Sequence, residues 1–389
     1  MRILVVHNRY QQAGGEDSVA AAEIALLEGA GHQVERLDFA NDHIGGAMAA
    51  ARAALLSAYN PASRRRADEA IARFKPDVVH VHNFFPTASP AIFYACAAAR
   101  IPVVWTLHNF RITCANALLM RDGQICEDCL GGTGWSGIRH RCYRGSLAGS
   151  AAVTAVHRAH AALGTWTRRV NRFIALTAFS RSVFVRAGLP ANKLAVKPNF
   201  IPDPRVHERY PTRAGVLFVG RLSEEKGVDT LLDAWANLDV PLTIIGDGPE
   251  AARLRAKGSA HVRFLGRLGR EAVIDAMASA AAVVVPSRWY ENFPMTVVEA
   301  FAAGAPVIAS RLGALNEIVT EGVDGLHFRA NDAGDLAAVL GRAFGEPGLL
   351  ARLGLGARAK YERDLTPEHN LAMLEAIYAD AGKGSTHDG

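Results

Sequence analysis

Cysteine is scarce in this chain: five residues among 389, four of them between positions 114 and 142. So few and so clustered, they exclude a disulfide framework and point instead to a local metal or thiol site. Charge of one sign is also missing. Lys and Arg number 43 against 38 Asp and Glu, a formal net charge of +5. The basic residues are scattered, with Arg64-Arg65-Arg66 as the one run, so a nucleic-acid stripe is excluded; mild basicity suits phosphate-bearing ligands or an anionic membrane surface. No apolar stretch approaches the roughly 18 residues that span a bilayer. The opening Ile3-Leu4-Val5-Val6 is too short for an export signal, so the expected setting is cytoplasmic, at most peripheral on the inner face of a membrane. The glycine fingerprint GxGxxG does not follow the first strand pattern, which counts against a nicotinamide-dependent dehydrogenase. Asp-x-Asp occurs nowhere, so no catalytic divalent metal is expected to hold a diphosphate here.

What the chain does have is apolar residues, 50% of the total, enough for two filled cores at this length. Short aliphatic runs ending in Gly, Pro or a polar residue predict strands at Ile3–Val6, Val34–Leu37, Asp77–Val81, Pro102–Leu107 and Phe173–Leu176. A second series follows at Val216–Val219, Leu242–Ile245, Val262–Leu265, Ala282–Val285 and Val307–Ala309. Helical patterns intervene, among them Ser18–Glu28, Thr87–Ala99, Val228–Ala236, Arg270–Ala280 and a last one at Pro367–Ala381. Uninterrupted apolar strands alternating with helices predict an α/β protein with parallel sheets buried on both faces. Between the two series lies Lys197-Pro198-Asn199-Phe200-Ile201-Pro202-Asp203-Pro204, too rich in proline to continue a helix or a central strand. The reading is therefore two doubly wound, Rossmann-like domains facing across a cleft. The first covers 1–205 with an insertion at 109–145, the second 206–364, and a C-terminal helix at 365–389 packs back on the first and ends in a polar tail. Ligands are expected at the carboxyl ends of both sets of strands.

Four segments carry chemistry. Gly220-Arg221-Leu222-Ser223-Glu224-Glu225-Lys226-Gly227 places two cations between a strand end and a helix start, a site for a diphosphate, or else a solvated loop with surface ion pairs. Glu291 and Glu299 are separated by seven residues, the second inside an apolar helix opening near Pro294. A buried carboxylate at 299 needs donors, either a ligand's hydroxyls or a neighbouring Arg288 or Arg311. Gly14-Gly15 precede a helix and permit close backbone approach, or merely form a turn. His108 closes a buried strand.

Together, VGRLSEEKG (219–227), IIGDGPE (244–250), FLGRL (264–268), the paired glutamates, EAFAAGAPVIAS (299–310) and NEIVTEGVDG (316–325) resemble the retaining glycosyltransferases of family 4, which have the GT-B fold of two Rossmann-like domains. That resemblance implies a sugar transferase that moves a sugar from a nucleotide-sugar donor to a glycan, lipid-linked or related acceptor. Arg221 and Lys226 would bind the donor diphosphate, Glu299 the ribose and Glu291 the donor sugar. Asn292, Phe293, Pro294, Met295 and Thr296 would border the phosphate and sugar. Gly14, Gly15, Asn199, Gly220 and Leu265 would line the donor site, and His108 would lie beside the transferred sugar. Where the family often has Glu-Gly-Phe-Gly this chain has Glu291-Asn292-Phe293-Pro294, which bears on the identity of the sugar. A sugar-nucleotide epimerase of the same fold and a non-catalytic scaffold are the alternative readings.

The cysteines Cys114, Cys126, Cys129 and Cys142 fall in the pattern C-x11-C-x2-C-x12-C, with His140 as a spare ligand. A structural zinc or a set of free or redox-active thiols both suit that spacing. The stretch Ala49–Phe74 mixes Leu55, Leu56 and Tyr59 with five arginines, a composition for an anionic membrane surface or for a solvated helix face.

Overall fold

In a computed structural model, the chain is described for residues 1–9, 15–41, 52–206, 209–210 and 212–383. Two compact units share it. The first takes Met1–Leu119, Cys126–Pro198 and Asn370–Gly389, and the second Met120–Ile125 and Asn199–His369. The passage from one to the other falls at Pro198, ahead of the expected boundary at 205, and a short segment within the insertion belongs to the second unit.

The first unit holds a six-stranded parallel sheet of β1 (Arg2–Arg9), β2 (Gln33–Ala40), β3 (Val78–Val81), β4 (Val103–Thr106), β7 (Arg172–Ala175) and β8 (Leu194–Val196), in the order β2-β1-β3-β4-β7-β8. The interior strands β3 and β4 are buried at every position; that is why, His80 and Thr106 apart, they read as apolar runs rather than alternating ones. In the second unit the sheet comprises β9 (Val216–Val219), β10 (Leu242–Ile245), β11 (Val262–Gly266), β12 (Ala282–Val285), β13 (Val307–Ser310) and β14 (Gly325–Phe328), in the order β11-β10-β9-β12-β13-β14. A two-stranded hairpin, β5 (Met120–Arg121) with β6 (Gln124–Ile125), completes the strands. Each sheet reverses its strand order once, at β1/β3 and at β9/β12. In open parallel sheets those are the points where crossovers diverge and leave a crevice beyond the carboxyl ends.

Ten strands sit within a few residues of their sequence-predicted positions. The edge strands β8 and β14 escape such reading, as does the hairpin, because each is only two to four residues long. The predicted helix at 87–99 begins only at Ala91, since Pro90 confines what precedes it. Arginines of the basic stretch are engaged on the protein's own surface: Arg64 with Asp68 and Arg65 with Glu69 along the helix Pro61–Phe74, Arg66 on the Asp38 carbonyl, and Arg73 with Glu35. Residues 49–51 lie outside the described part. No helix among the described residues is long and apolar enough to cross a membrane.

A buried ion pair ties the first unit together. Lys197 Nζ donates to Glu23 Oε1 at 2.6 Å and to Asn370 Oδ1 at 2.9 Å, with the lysine side chain 0% and the glutamate 1% exposed. Glu23 belongs to the helix Gly15–Gly29 and Asn370 to the terminal helix Pro367–Lys383. That last helix also places Tyr378 OH 2.7 Å from His80 Nδ1.

Histidines fill much of the remaining polar interior. Burial pushes His80 and His82 well below the ordinary histidine range, His108 and His157 down to about 3, and His160 down as well. The folded chain thus refuses protons that the unfolded chain accepts as pH falls below 6.5, so stability rises with pH in that window. Glu23 is held low, by Lys197 above all against the opposing desolvation, so its loss of stabilisation begins only below 4.5. Acidification from about pH 7.5 to about 5.5 is accordingly expected to cost on the order of 1 kcal/mol per buried histidine. Thermal melts followed by circular dichroism should show Tm falling by several degrees across that range. A Tm that is flat or rises on acidification contradicts neutral buried histidines.

Candidate active site

The second unit gathers its polar residues at the β9/β12 switch point. After β9 the chain runs through Gly220 and the exposed Arg221 into a short turn at Glu224–Lys226, capped by Gly227 with φ +66°. A Cβ at 227 would stand 2.1 Å from the Pro286 carbonyl oxygen. Only glycine lets this loop lie directly against the segment leaving β12, and that contact carries Lys226 to Glu291. Gly246, at the end of β10, makes a similar approach: its Cβ would meet the Gly220 oxygen at 1.8 Å. The two glycines draw three strand ends together.

Lys226 Nζ donates to Glu291 Oε1 at 2.6 Å, and Ser287 Oγ to the same oxygen at 2.7 Å. The ammonium also lies 5.3 Å from the centroid of the Trp289 ring, within reach of its π face. Glu291 is buried and Lys226 half-exposed. Beyond them Asn292 and Pro294 are buried, Phe293 is half-buried, and Met295 and Thr296 open the helix Met295–Ala302. Thr296 Oγ1 reaches back to the Val219 carbonyl at 3.4 Å, pinning this helix start to the end of β9. Glu299 lies in that helix. Burial raises its pKa above 4.5, opposed only by the charge of Arg270. The two arginines weighed as its partners are engaged elsewhere, Arg288 with Asp229 at 2.8 Å and Arg311 with Glu321 at 3.5 Å. Leu265 is half-buried near the end of β11. Asn199 is buried, and its Oδ1 has no hydrogen-bond partner among the described residues.

In the first unit the corresponding switch point carries histidines. His82 follows β3, His108 follows β4, and His82 Nδ1 lies 2.9 Å from His108 Nε2. His7 on β1 contacts Asp17 at 2.8 Å. Gly15 begins the first helix, whereas Gly14 lies outside the described residues. Sequence reasoning found His108 but not Glu23, His82 or Lys197. The signal was present as alternation, with His80 in a strand otherwise made of valine and His82 two residues on, just past its end.

Among the described residues, one group of three metal-ligating types brings its ligand atoms within 4.8 Å of one another: Glu23, His80 and His82. It does not suit a cation. The Lys197 ammonium already occupies Glu23, and both His80 nitrogens are engaged, Nδ1 by Tyr378 and Nε2 by Thr106 at 2.8 Å. Cys114, Cys126, Cys129 and Cys142 do not bring three sulfur atoms within 4.8 Å of one another, although Cys129 feels the charge of both Cys114 and Cys126. Cys114 Sγ instead donates to Asn116 Oδ1 at 2.9 Å, and burial raises the Cys114 and Cys129 thiols above 9.0.

Comparison with known proteins follows this geometry. Residues 19–205 match the model of Glycosyltransferase Family 4, and residues 200–360 that of Glycosyl transferases group 1. An uncharacterized glycosyltransferase of Methanocaldococcus jannaschii is 40% identical over 31% of this chain, and the glycogen synthase of Mycobacterium tuberculosis 31% identical over 44%. These matches take in 35% and 44% of those relatives' own lengths, so the chain spans less than half of each. A phosphatidyl-myo-inositol mannosyltransferase of Mycolicibacterium smegmatis is 28% identical over 87% of this chain and 84% of its own. Among solved structures, Anabaena HepE in complex with UDP and glucose superposes with a TM-score of 0.70 at 19% identity, covering 97% of this chain and all of that one. The two family models adjoin and together take in most of the sequence, the strand orders are those of paired Rossmann-like units, and the chain belongs with the family 4 type of glycosyltransferases and has the GT-B fold.

Proposed function

We propose that this glycosyltransferase is a retaining enzyme that takes its sugar from a nucleotide-diphosphate donor and delivers it to a glycan or lipid-linked hydroxyl. One observation carries the reading: a half-exposed ammonium, Lys226, is held on the Glu291 carboxylate at a sheet switch point, with Arg221 exposed beside it and Glu299 a helix turn beyond. A diphosphate entering there meets two cations and the opening turn of a helix, all suited to charge that grows as the leaving group departs. Among the described residues Glu299 has no cationic partner within hydrogen-bond reach. Vicinal hydroxyls of a ribose would supply the donors its burial withholds. The complex of the structural neighbour HepE with UDP and glucose supports this donor class, and the inositol-lipid mannosyltransferase among the relatives supports a hydroxyl on a lipid or glycan as acceptor.

Retention follows most simply from same-face displacement. The acceptor oxygen attacks the anomeric carbon from the side the diphosphate leaves, and the departing phosphate oxygen takes the acceptor's proton. The protein then supplies position and charge rather than a nucleophile. Incubation with a panel of nucleotide sugars and glycan or lipid acceptors tests the reading. Sugar transfer with the anomeric configuration kept supports it, while isomerisation of the donor or an inverted product overturns it.

Two further outcomes are expected. Lys226→Ala should lower kcat by about 100-fold or more, since its contact with the diphosphate strengthens in the transition state. Glu299→Ala should chiefly raise the donor KM, because ribose hydroxyls change little during reaction. Steady-state kinetics with varied donor separate the two, and exchanged signatures would mean exchanged roles. Brief treatment with EDTA should leave transfer intact if Arg221 and Lys226 neutralise the diphosphate without a divalent ion. Immediate loss restored by magnesium or manganese contradicts that, whereas slow loss with zinc release would trace to the cysteines.

A further inference from the structure

The buried cluster of the first unit has a direction built into it, and the direction ends at His108. Glu23 is ionised, because Lys197 Nζ sits 2.6 Å from its Oε1 and both groups are sealed from water. An ionised carboxylate only accepts hydrogen bonds. Among the described residues its second oxygen, Oε2, has no hydrogen-bond partner and faces His82 Nε2 at 3.5 Å, and that nitrogen is likewise buried without a partner. Two lone pairs facing each other between side chains buried from solvent would repel, so the hydrogen of His82 belongs on Nε2. His82 is kept neutral by burial and by the neighbouring His80, so it has one ring hydrogen, and its Nδ1 is left as an acceptor.

His108 Nε2 lies 2.9 Å from that acceptor and must be the donor. His108 is neutral too, its pKa brought down to about 3 by burial. Its single hydrogen is therefore committed to His82, and its Nδ1 carries a lone pair. Among the described residues that Nδ1 makes no hydrogen bond, and His108 is half-buried in a pocket lined also by Asn83, Phe85, Arg111 and His157. The titratable groups around the relay are His7, Asp17, Glu23, His80 and Lys197.

We infer that Glu23 and His82 are positioning residues which fix His108 in one tautomer, hydrogen on Nε2 and lone pair on Nδ1, so that His108 accepts a hydrogen bond from a hydroxyl of the ligand and cannot donate one. The recognised chemistry is a polyol hydroxyl with its hydrogen directed at the imidazole. A carbonyl or carboxylate oxygen at the same place would meet a lone pair and be disfavoured. The tautomer stands on the first unit alone. Its consequence for turnover rests on the transferase reading.

The test is nuclear magnetic resonance of the full chain labelled with 15N in histidine, using two-bond 1H–15N correlations to assign the ring hydrogens, with His108→Gln identifying the His108 signals. The wild type should show His108 as the Nε2–H tautomer, unchanged from about pH 8 to about pH 5. His82→Asn retains an acceptor oxygen near the place of Nδ1 and should retain the tautomer. His82→Phe removes the acceptor; His108 should then pass to a tautomer mixture and titrate within that range. An Nδ1–H tautomer or an imidazolium in the wild type overturns the inference, and so does an unchanged tautomer in His82→Phe. If His82→Phe does not fold, the wild-type spectrum still decides. With a donor that supports transfer, His82→Phe should lower kcat/KM on the order of 10-fold, the loss of one hydrogen bond of fixed sense, and His82→Asn should restore most of it. A His82→Phe enzyme with altered tautomer but wild-type kcat/KM overturns the ligand-accepting role. If no donor supports transfer while the tautomers behave as stated, it is the transferase reading that fails.

Discussion

Lys197 and Glu23 have given up their hydration entirely, and such a sacrifice is stable only while each remains the other's partner. Removing one member of a sealed pair leaves a bare charge in a medium that cannot solvate it, at a cost of about 3–5 kcal/mol. The pair joins the segment after β8, the first helix and, through Asn370, the terminal helix. Around it the neutral histidines take the only states open to them: a nearby ammonium and the absence of water forbid a second positive charge. The ordering of His82 and His108 is thus inherited from a lysine that lies outside every regular element.

A second lysine–glutamate pair, Lys226 with Glu291, has the same separation of 2.6 Å but the opposite character. Its lysine side chain is 24% exposed and faces solvent. Competition from an incoming anion is then feasible, since the charge can be passed from carboxylate to phosphate without ever being stranded. Ser287 remains to bond the Glu291 oxygen if the lysine turns away. One pair is sealed and structural; the other is open and exchangeable. Identity of residue types says nothing about that difference, and solvent access decides it.

The same distinction explains which parts of the molecule could be read without coordinates. Interior strands announce themselves because burial on two faces demands a nearly continuous apolar run, and all eight of them stood in the right places. Arg221, Lys226, Glu291 and Glu299 were found because their spacing along loops and helix starts is short-range. Glu23, His82 and Lys197 were missed because their association is long-range: a helix, a strand and a proline-bounded segment meet over more than 170 residues of sequence. Lys197 beside Pro198 has the composition of an exposed linker and is instead fully buried.

Asn370 and Tyr378 belong to the first unit although they arrive after the whole of the second has been written. On the ribosome, the earlier unit therefore waits. Its sheet can form as soon as Val196 emerges, but Lys197 lacks its amide partner and His80 its phenol until the last helix leaves the exit tunnel. The nascent first unit spends the synthesis of some 170 residues with an incompletely satisfied interior. It is during that interval, rather than after release, that the chain is most exposed to proteases and to holding chaperones.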